Sequence, residues 1–114
     1  MQFTLLLSAL ITMIMSTLAL PTGDTRLAQL RLYGEPGCYN ANMGELGIYG
    51  SALNQCKTFP GNSTIESVSF EYNVGACSVQ IFTEDGCASG QHNVTVGQCL
   101  SGDSDYVSYK LVCN

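Results

Sequence analysis

The chain has 114 residues, which is enough for one small domain. It carries a net charge of −5, and only 11% of its side chains are charged. Its four basic residues are scattered among nine acidic ones, so the sequence offers no basic stripe for phosphate groups. Nucleic acid and anionic membrane surfaces are therefore not expected as partners.

The N-terminal 19 residues are typical of a secretory signal peptide. Residues 3–20 contain no charged side chain, and Thr17 and Ala19 place small residues at positions −3 and −1 of a cleavage site. The alternative is a transmembrane anchor, but serines and threonines interrupt the apolar run and no basic cluster follows it. We predict a signal peptide over residues 1–19, a secreted extracellular protein, and no membrane anchor after cleavage.

Residues 20–29 are expected to form a flexible leader, and residues 30–114 the domain itself. Apolar Val68, Phe70, Tyr72 and Val74 alternate with polar neighbours, as in a half-buried β-strand. Glycines separate this run from others of the same kind. The sequence predicts an all-β class, in which only residues 43–54 could hold a short helical turn. The other predicted strands contain Cys77 to Ile81, Val94 to Val96 and Val107 to Cys113.

Six cysteines follow the signal peptide, and an even number in an exported chain indicates three disulfides. No Cys-x-x-Cys motif occurs and His92 is the sole histidine, so neither a metal site nor a cofactor is expected. Six cysteines by themselves allow about fifteen pairings. The cysteines are Cys38, Cys56, Cys77, Cys87, Cys99 and Cys113.

The domain also repeats itself. Residues 31–38 (RLYGEPGC) align with residues 80–87 (QIFTEDGC), and Gln55-Cys56 aligns with Gln98-Cys99. Each copy closes on a strand that contains serine, SVSF at residues 67–70 and VSYK at residues 107–110. These matches predict two related halves.

The repeated unit resembles the Greek key of the βγ-crystallin family, whose corner combines an aromatic residue, an acidic turn and a later glycine. Phe82, Glu84 and Gly90 match that corner in the second copy, and Tyr33 and Glu35 match it in the first, which has no equivalent of the glycine. The resemblance implies a small disulfide-stapled Greek-key β-sandwich, similar to small secreted proteins of filamentous fungi and to some microbial killer toxins. The calcium motif of the family is degenerate in residues 62–67 and 104–109, so no calcium site is expected.

The repeat favours one of the possible pairings. Cys38–Cys56 and Cys87–Cys99 would be equivalent bridges, one inside each copy, and they leave Cys77–Cys113 as the third.

Candidate modification and catalytic residues are few. Asn62 and Asn93 each begin an Asn-x-Ser/Thr sequon and are predicted glycosylation sites. His92 is expected in a solvated polar turn, and the carboxylates of Glu84-Asp85 and of residues 103 and 105 are expected in acidic turns. No catalytic residue is therefore predicted, and the protein is not expected to be an enzyme.

Tyrosines are the remaining candidates for binding. Tyr33, Tyr72 and Tyr109 are expected to be core or corner residues, whereas Tyr39 and Tyr49, in the glycine-rich stretch 37–50, are expected at the surface. The sequence thus predicts a non-enzymatic binding protein, effector-like, toxin-like or antimicrobial, whose target is an extracellular protein or carbohydrate. The alternatives are an inhibitor of an extracellular hydrolase that uses residues 37–50 as bait, and a cell-wall-associated structural protein.

Overall fold

A computed structural model describes residues 24–62, 64–102 and 105–114. The predicted signal peptide 1–19, residues 20–23 of the predicted leader and Asp103 lie outside the described residues. The predicted all-β class is confirmed, with two four-stranded antiparallel sheets. The strands are β1 (Arg26–Tyr33), β2 (Asn42–Tyr49), β3 (Lys57–Thr58), β4 (Ser67–Asn73), β5 (Cys77–Phe82), β6 (His92–Val94), β7 (Cys99–Ser101) and β8 (Ser108–Cys113).

The two halves of the domain exchange one strand each. Copy 1 consists of β1–β4 and copy 2 of β5–β8. Sheet A has the order β2-β1-β4-β7 and sheet B the order β6-β5-β8-β3. Each sheet therefore combines the first, second and fourth strands of one copy with the third strand of the other, which makes the two halves interdependent.

The pairing of β1 with β4 matches that of β5 with β8 over their first four residue pairs, which supports the repeat. Tyr33 pairs with Ser67 in sheet A as Phe82 pairs with Ser108 in sheet B. Ser67 is thus equivalent to Ser108, one position away from the alignment expected from the sequence, which paired it with Val107.

The core lies between the two sheets, because alternate side chains of each strand point to the same face. Phe59, Ile65 and Tyr106, from the segments that follow the exchanged strands β3 and β7, also contribute to it. The buried strand residues include Leu30, Leu32, Ile48, Val68 and Phe70 of sheet A and Val79, Ile81, Val94, Tyr109 and Leu111 of sheet B.

Tyr72 is not the core or corner residue that was predicted; it lies within β4 and is 47% exposed. The pairing of β1 with β4 shifts by one residue between Leu30↔Phe70 and Gln29↔Tyr72. This β-bulge inserts Glu71 as an extra residue and reverses the alternation beyond it. Tyr72 therefore shares the outer face of sheet A with Gln29.

The predicted flexible leader over residues 20–29 extends too far, because β1 begins at Arg26 and Ala28 is fully buried. A register shift in the pairing with β2 lies between Arg26 and Ala28, so the apolar alternation of this strand begins irregularly.

Other boundaries differ as well. Residues 42–49, expected within a glycine-rich loop, form strand β2, and the helical turn expected in residues 43–54 is confined to Gly50–Ala52. Val96, predicted in a strand, is exposed in a turn. Pairing with β1 makes β2 a strand although its own sequence contains two glycines.

One predicted disulfide, Cys77–Cys113, is present, and it joins directly paired residues of β5 and β8. The predicted pairs Cys38–Cys56 and Cys87–Cys99 are wrong, because the structure contains Cys38–Cys99 and Cys56–Cys87. The strand exchange explains the error: Cys99 opens β7 in sheet A, and Cys56 precedes β3 in sheet B. The two bridges are equivalent, as expected, but each joins one copy to the other.

Candidate functional site

Two equivalent turns connect the first and second strands of the two copies. We call residues 34–41 the Tyr39 turn and residues 83–90 the Ala88 turn. The hydroxyl of the fully buried Ser67 donates a hydrogen bond to the carbonyl of Glu35 (2.6 Å) and accepts one from the amide of Cys38 (2.9 Å).

Ser108 is also fully buried and makes the same pair of bonds in copy 2. Its hydroxyl donates to the carbonyl of Glu84 (2.6 Å) and accepts from the amide of Cys87 (3.0 Å). Sequence reasoning noted serine in both closing strands but missed this role. No local signal indicates this role, because each serine stands on the outward side of its strand's alternation and is buried only by the turn that bonds to it.

The backbone of the two turns is the same. Positive φ angles occur at Gly37, Cys38 and Ala41 in the Tyr39 turn. The equivalent residues Gly86, Cys87 and Gly90 have positive φ angles in the Ala88 turn.

The glycine that the first copy lacked in sequence is therefore replaced by Ala41, with φ 57°. Its neighbour across the turn is Gly34, whose amide donates to the Ala41 carbonyl (2.9 Å). In copy 2 the arrangement is reversed, with Thr83 facing Gly90. One glycine in each facing pair leaves room for the side chain of the other residue.

Tyr39 lies at the surface as predicted, with 84% of its area exposed. The turn that carries it is fastened by the Cys38–Cys99 disulfide and by a hydrogen bond from the Gly37 amide to the Ser101 hydroxyl (2.9 Å). The equivalent position in copy 2 is Ala88. Since alanine serves this backbone equally well, the tyrosine ring is not a requirement of the fold.

Tyr49, the second tyrosine predicted at the surface, is 38% exposed on the outer face of sheet A, which we call face A. The guanidinium of Arg26 lies 5.6 Å from the centre of its ring and donates to its hydroxyl (3.3 Å). A Cβ atom at Gly47 would lie within 3.0 Å of that guanidinium. Glycine at position 47 therefore lets Arg26 lie flat across the sheet.

A second charged group on face A centres on Glu71. Its carboxylate accepts hydrogen bonds from Arg31 and from Gln29, both at 2.8 Å. The Arg31 bond and the Gln29 bond, opposed by partial desolvation, hold the pKa of Glu71 below its ordinary value. Arg26 bonds to Gln29 (2.5 Å), and both arginines lie within 4 Å of the Glu45 carboxylate.

The outer face of sheet B differs from face A. Gln80 and Lys110 face each other there as half-buried residues, and Asn93 pairs with Gln80 on the edge strand β6. Asn93 is exposed, and so is Asn62 in the segment between β3 and β4. Exposure is compatible with glycosylation at both sites, which stays a prediction.

His92 is not in a solvated turn as expected. It is half-buried in β6, and its ring meets the Tyr106 ring edge-on at 6.0 Å. Glu84 and Asp85 are exposed in the Ala88 turn. Asp105 accepts a bond from the Ile65 amide (3.3 Å) at the rim of an open depression of about 210 Å³.

Another depression of about 290 Å³ lies beside the Cys77–Cys113 bridge. Both volumes are below the roughly 300–1,000 Å³ of ordinary ligand pockets. Among residues 24–62, 64–102 and 105–114, no three histidine, cysteine or acidic side chains converge on a metal-sized site. In the same ranges, no helix is long and apolar enough to cross a bilayer.

The chain matches no protein-family model, no curated protein and no solved structure.

Proposed function

We propose that the chain is a secreted, non-enzymatic binding protein with a domain of βγ-crystallin-like Greek-key type. The strand exchange and the two serine-anchored turns support this domain type. Three disulfides support an oxidising extracellular compartment. Its role is effector-like, toxin-like or antimicrobial.

The proposed binding role rests on the exposure of the Tyr39 ring. A large ring that is 84% exposed adds no stability to the core, and the equivalent Ala88 occupies the same backbone without it. The disulfide and the hydrogen bonds of the turn fix the backbone that carries the ring before binding, which lowers the ordering cost of an interface. Tyrosines held in this way are typical centres of protein interfaces.

The test is a comparison of Tyr39→Ala with the oxidised wild-type domain. Binding or biological response, measured on cells and extracellular fractions, is expected to fall at least tenfold, as for a hot-spot residue at about 1.4 kcal/mol per tenfold. Ala88→Tyr is the matched control, since it adds a tyrosine to the equivalent turn and should not change the response. Equal responses of wild type and Tyr39→Ala would contradict the proposal.

The inhibitor alternative is restricted by β2, because residues 42–49 are a paired strand and only the Tyr39 turn remains as bait. Nanomolar inhibition of one extracellular hydrolase, lost in Tyr39→Ala, would favour that alternative. The cell-wall alternative predicts retention in the wall fraction, and an unglycosylated control with Asn62→Gln and Asn93→Gln would separate it from retention through glycans.

A further inference from the structure

We propose that face A binds a neutral oligosaccharide. The proposed binding site on face A consists of Tyr49 and Tyr72 with the polar side chains between them on β1, β2 and β4. This inference rests on the proposed extracellular binding role, but it uses residues separate from the Tyr39 turn, so the two can fail independently.

Both tyrosines of face A are additions to copy 1. The bulge in β4 places Glu71 and Tyr72 on the outer face together, whereas β5 and β8 of copy 2 pair without a shift. The residue equivalent to Tyr72 is Val112, which is only half-buried opposite Ser78. Tyr49 lies in the part of β2 that has no counterpart in the three-residue β6. The fold therefore forms in copy 2 without either ring.

The polar groups between the rings are already positioned. Arg26 donates hydrogen bonds to the Tyr49 hydroxyl and to the Gln29 side-chain oxygen (2.5 Å for the latter). Gln29 in turn donates to the Glu71 carboxylate (2.8 Å). Arg31 holds the other side of the Glu71 carboxylate. Planar side chains fixed in this way can each hydrogen-bond to adjacent hydroxyl groups of a sugar with little further loss of side-chain freedom.

Charge and shape select the class of sugar. Two arginines and two glutamates neutralise one another on face A, and the whole chain carries −5, so a polyanion gains no attraction. Tyr49 pairs with Arg26 and Tyr72 with Gln29, so the two tyrosines lie two strands apart, about 10 Å across the sheet and up to about 10 Å along it. Rings that stack on the apolar faces of pyranoses at this separation suit an oligosaccharide rather than a single sugar.

The experiment titrates the oxidised domain with soluble chitin, β-1,3-glucan, cellulose and mannan hexasaccharides, using calorimetry and backbone NMR shifts. Saturable binding of at least one of them is expected, with shifts concentrated on β1, β2 and β4. Tyr49→Ala and Tyr72→Ala should each weaken it about tenfold, and Tyr72→Phe should retain it. Gln80→Ala, equivalent to the Arg31 position on the opposite sheet, is the matched control and should bind as wild type.

Tyr39→Ala separates this inference from the proposed function, since it should retain sugar binding while the response of the target falls. Circular dichroism and NMR would verify that each variant is folded. The proposal is overturned by the absence of binding to all four sugars, by binding only to polygalacturonate or heparin, or by neutral-sugar binding that survives both tyrosine substitutions.

Discussion

The facing pairs Gly34–Ala41 and Thr83–Gly90 predict a strong coupling between two positions of one turn. At Gly90 an added Cβ would overlap the Thr83 hydroxyl, and the residue has φ 72°. Gly90→Ala should therefore cost about 1–2 kcal/mol for a left-handed alanine and a further 1–3 kcal/mol or so for the overlap.

The companion change Thr83→Gly removes the overlap and recreates the arrangement of copy 1. By itself it should cost about 1 kcal/mol, because glycine gains freedom in the unfolded chain. The double variant should recover the overlap part, a coupling of roughly 1–3 kcal/mol.

Urea unfolding of the four proteins, with the disulfides intact, measures the free energies. If the costs of the two single variants sum to that of the double variant within about 0.5 kcal/mol, the steric explanation is refuted. Ala41→Gly provides an independent check in copy 1: relief of the left-handed alanine should raise the free energy of unfolding by up to about 1 kcal/mol.

Three further outcomes are expected. Ser67→Ala and Ser108→Ala should each lower the free energy of unfolding by about 1–3 kcal/mol, because each leaves a turn amide and a carbonyl without their partner; a loss no larger than that of an exposed serine would contradict this in urea titrations. Trypsin should release no free peptide 32–57 from the unreduced protein, since both its cysteines bridge to copy 2; a free peptide with an internal bridge, seen by mass spectrometry, would disprove the pairing. Because the pKa of Glu71 is lowered on folding, its contribution is present above the unfolded pKa of about 4.3 and is lost as pH falls through the folded value. As the pH is lowered, the free energy of unfolding of the wild type should thus fall by up to about 0.5 kcal/mol more than that of Glu71→Gln. The effect is small because the ion pair is near the surface. Identical acid denaturation profiles of the two proteins would refute this prediction.

The strands and the repeat could be predicted from the sequence because both depend on patterns among neighbouring residues. The alternation in residues 67–74 and 107–113 predicted β-strands, and the paired Gln-Cys motifs predicted two copies. Tyr39 was expected at the surface because it lies in a glycine-rich stretch. Val96 and residues 42–49 were misjudged, because pairing with another strand, rather than local pattern, decides whether such a segment is extended.

The same distinction applies to the candidate surfaces. Tyr72 continues an apolar alternation in the sequence, and only the bulge opposite Gln29 turns it outward. Arg26 was predicted to be part of a flexible leader, although it links β1 to β2 on face A. Contacts between strands that are far apart in the chain leave no local signal, so neither residue could be placed from composition or period.

The sequence by itself determined the all-β class, the repeat, the cysteines as disulfides and the exposure of Tyr39. The tertiary structure decided which cysteines pair. The third strand of each copy belongs to the sheet of the other copy, so the cysteine at or directly before the start of that strand lies beside the other copy's turn. Equivalence between the copies constrained the bridges to a symmetric set without saying whether they lie within or between copies. That choice depends on the hydrogen-bond partner of a two- or three-residue strand, which is a property of the assembled sheets and not of the segment.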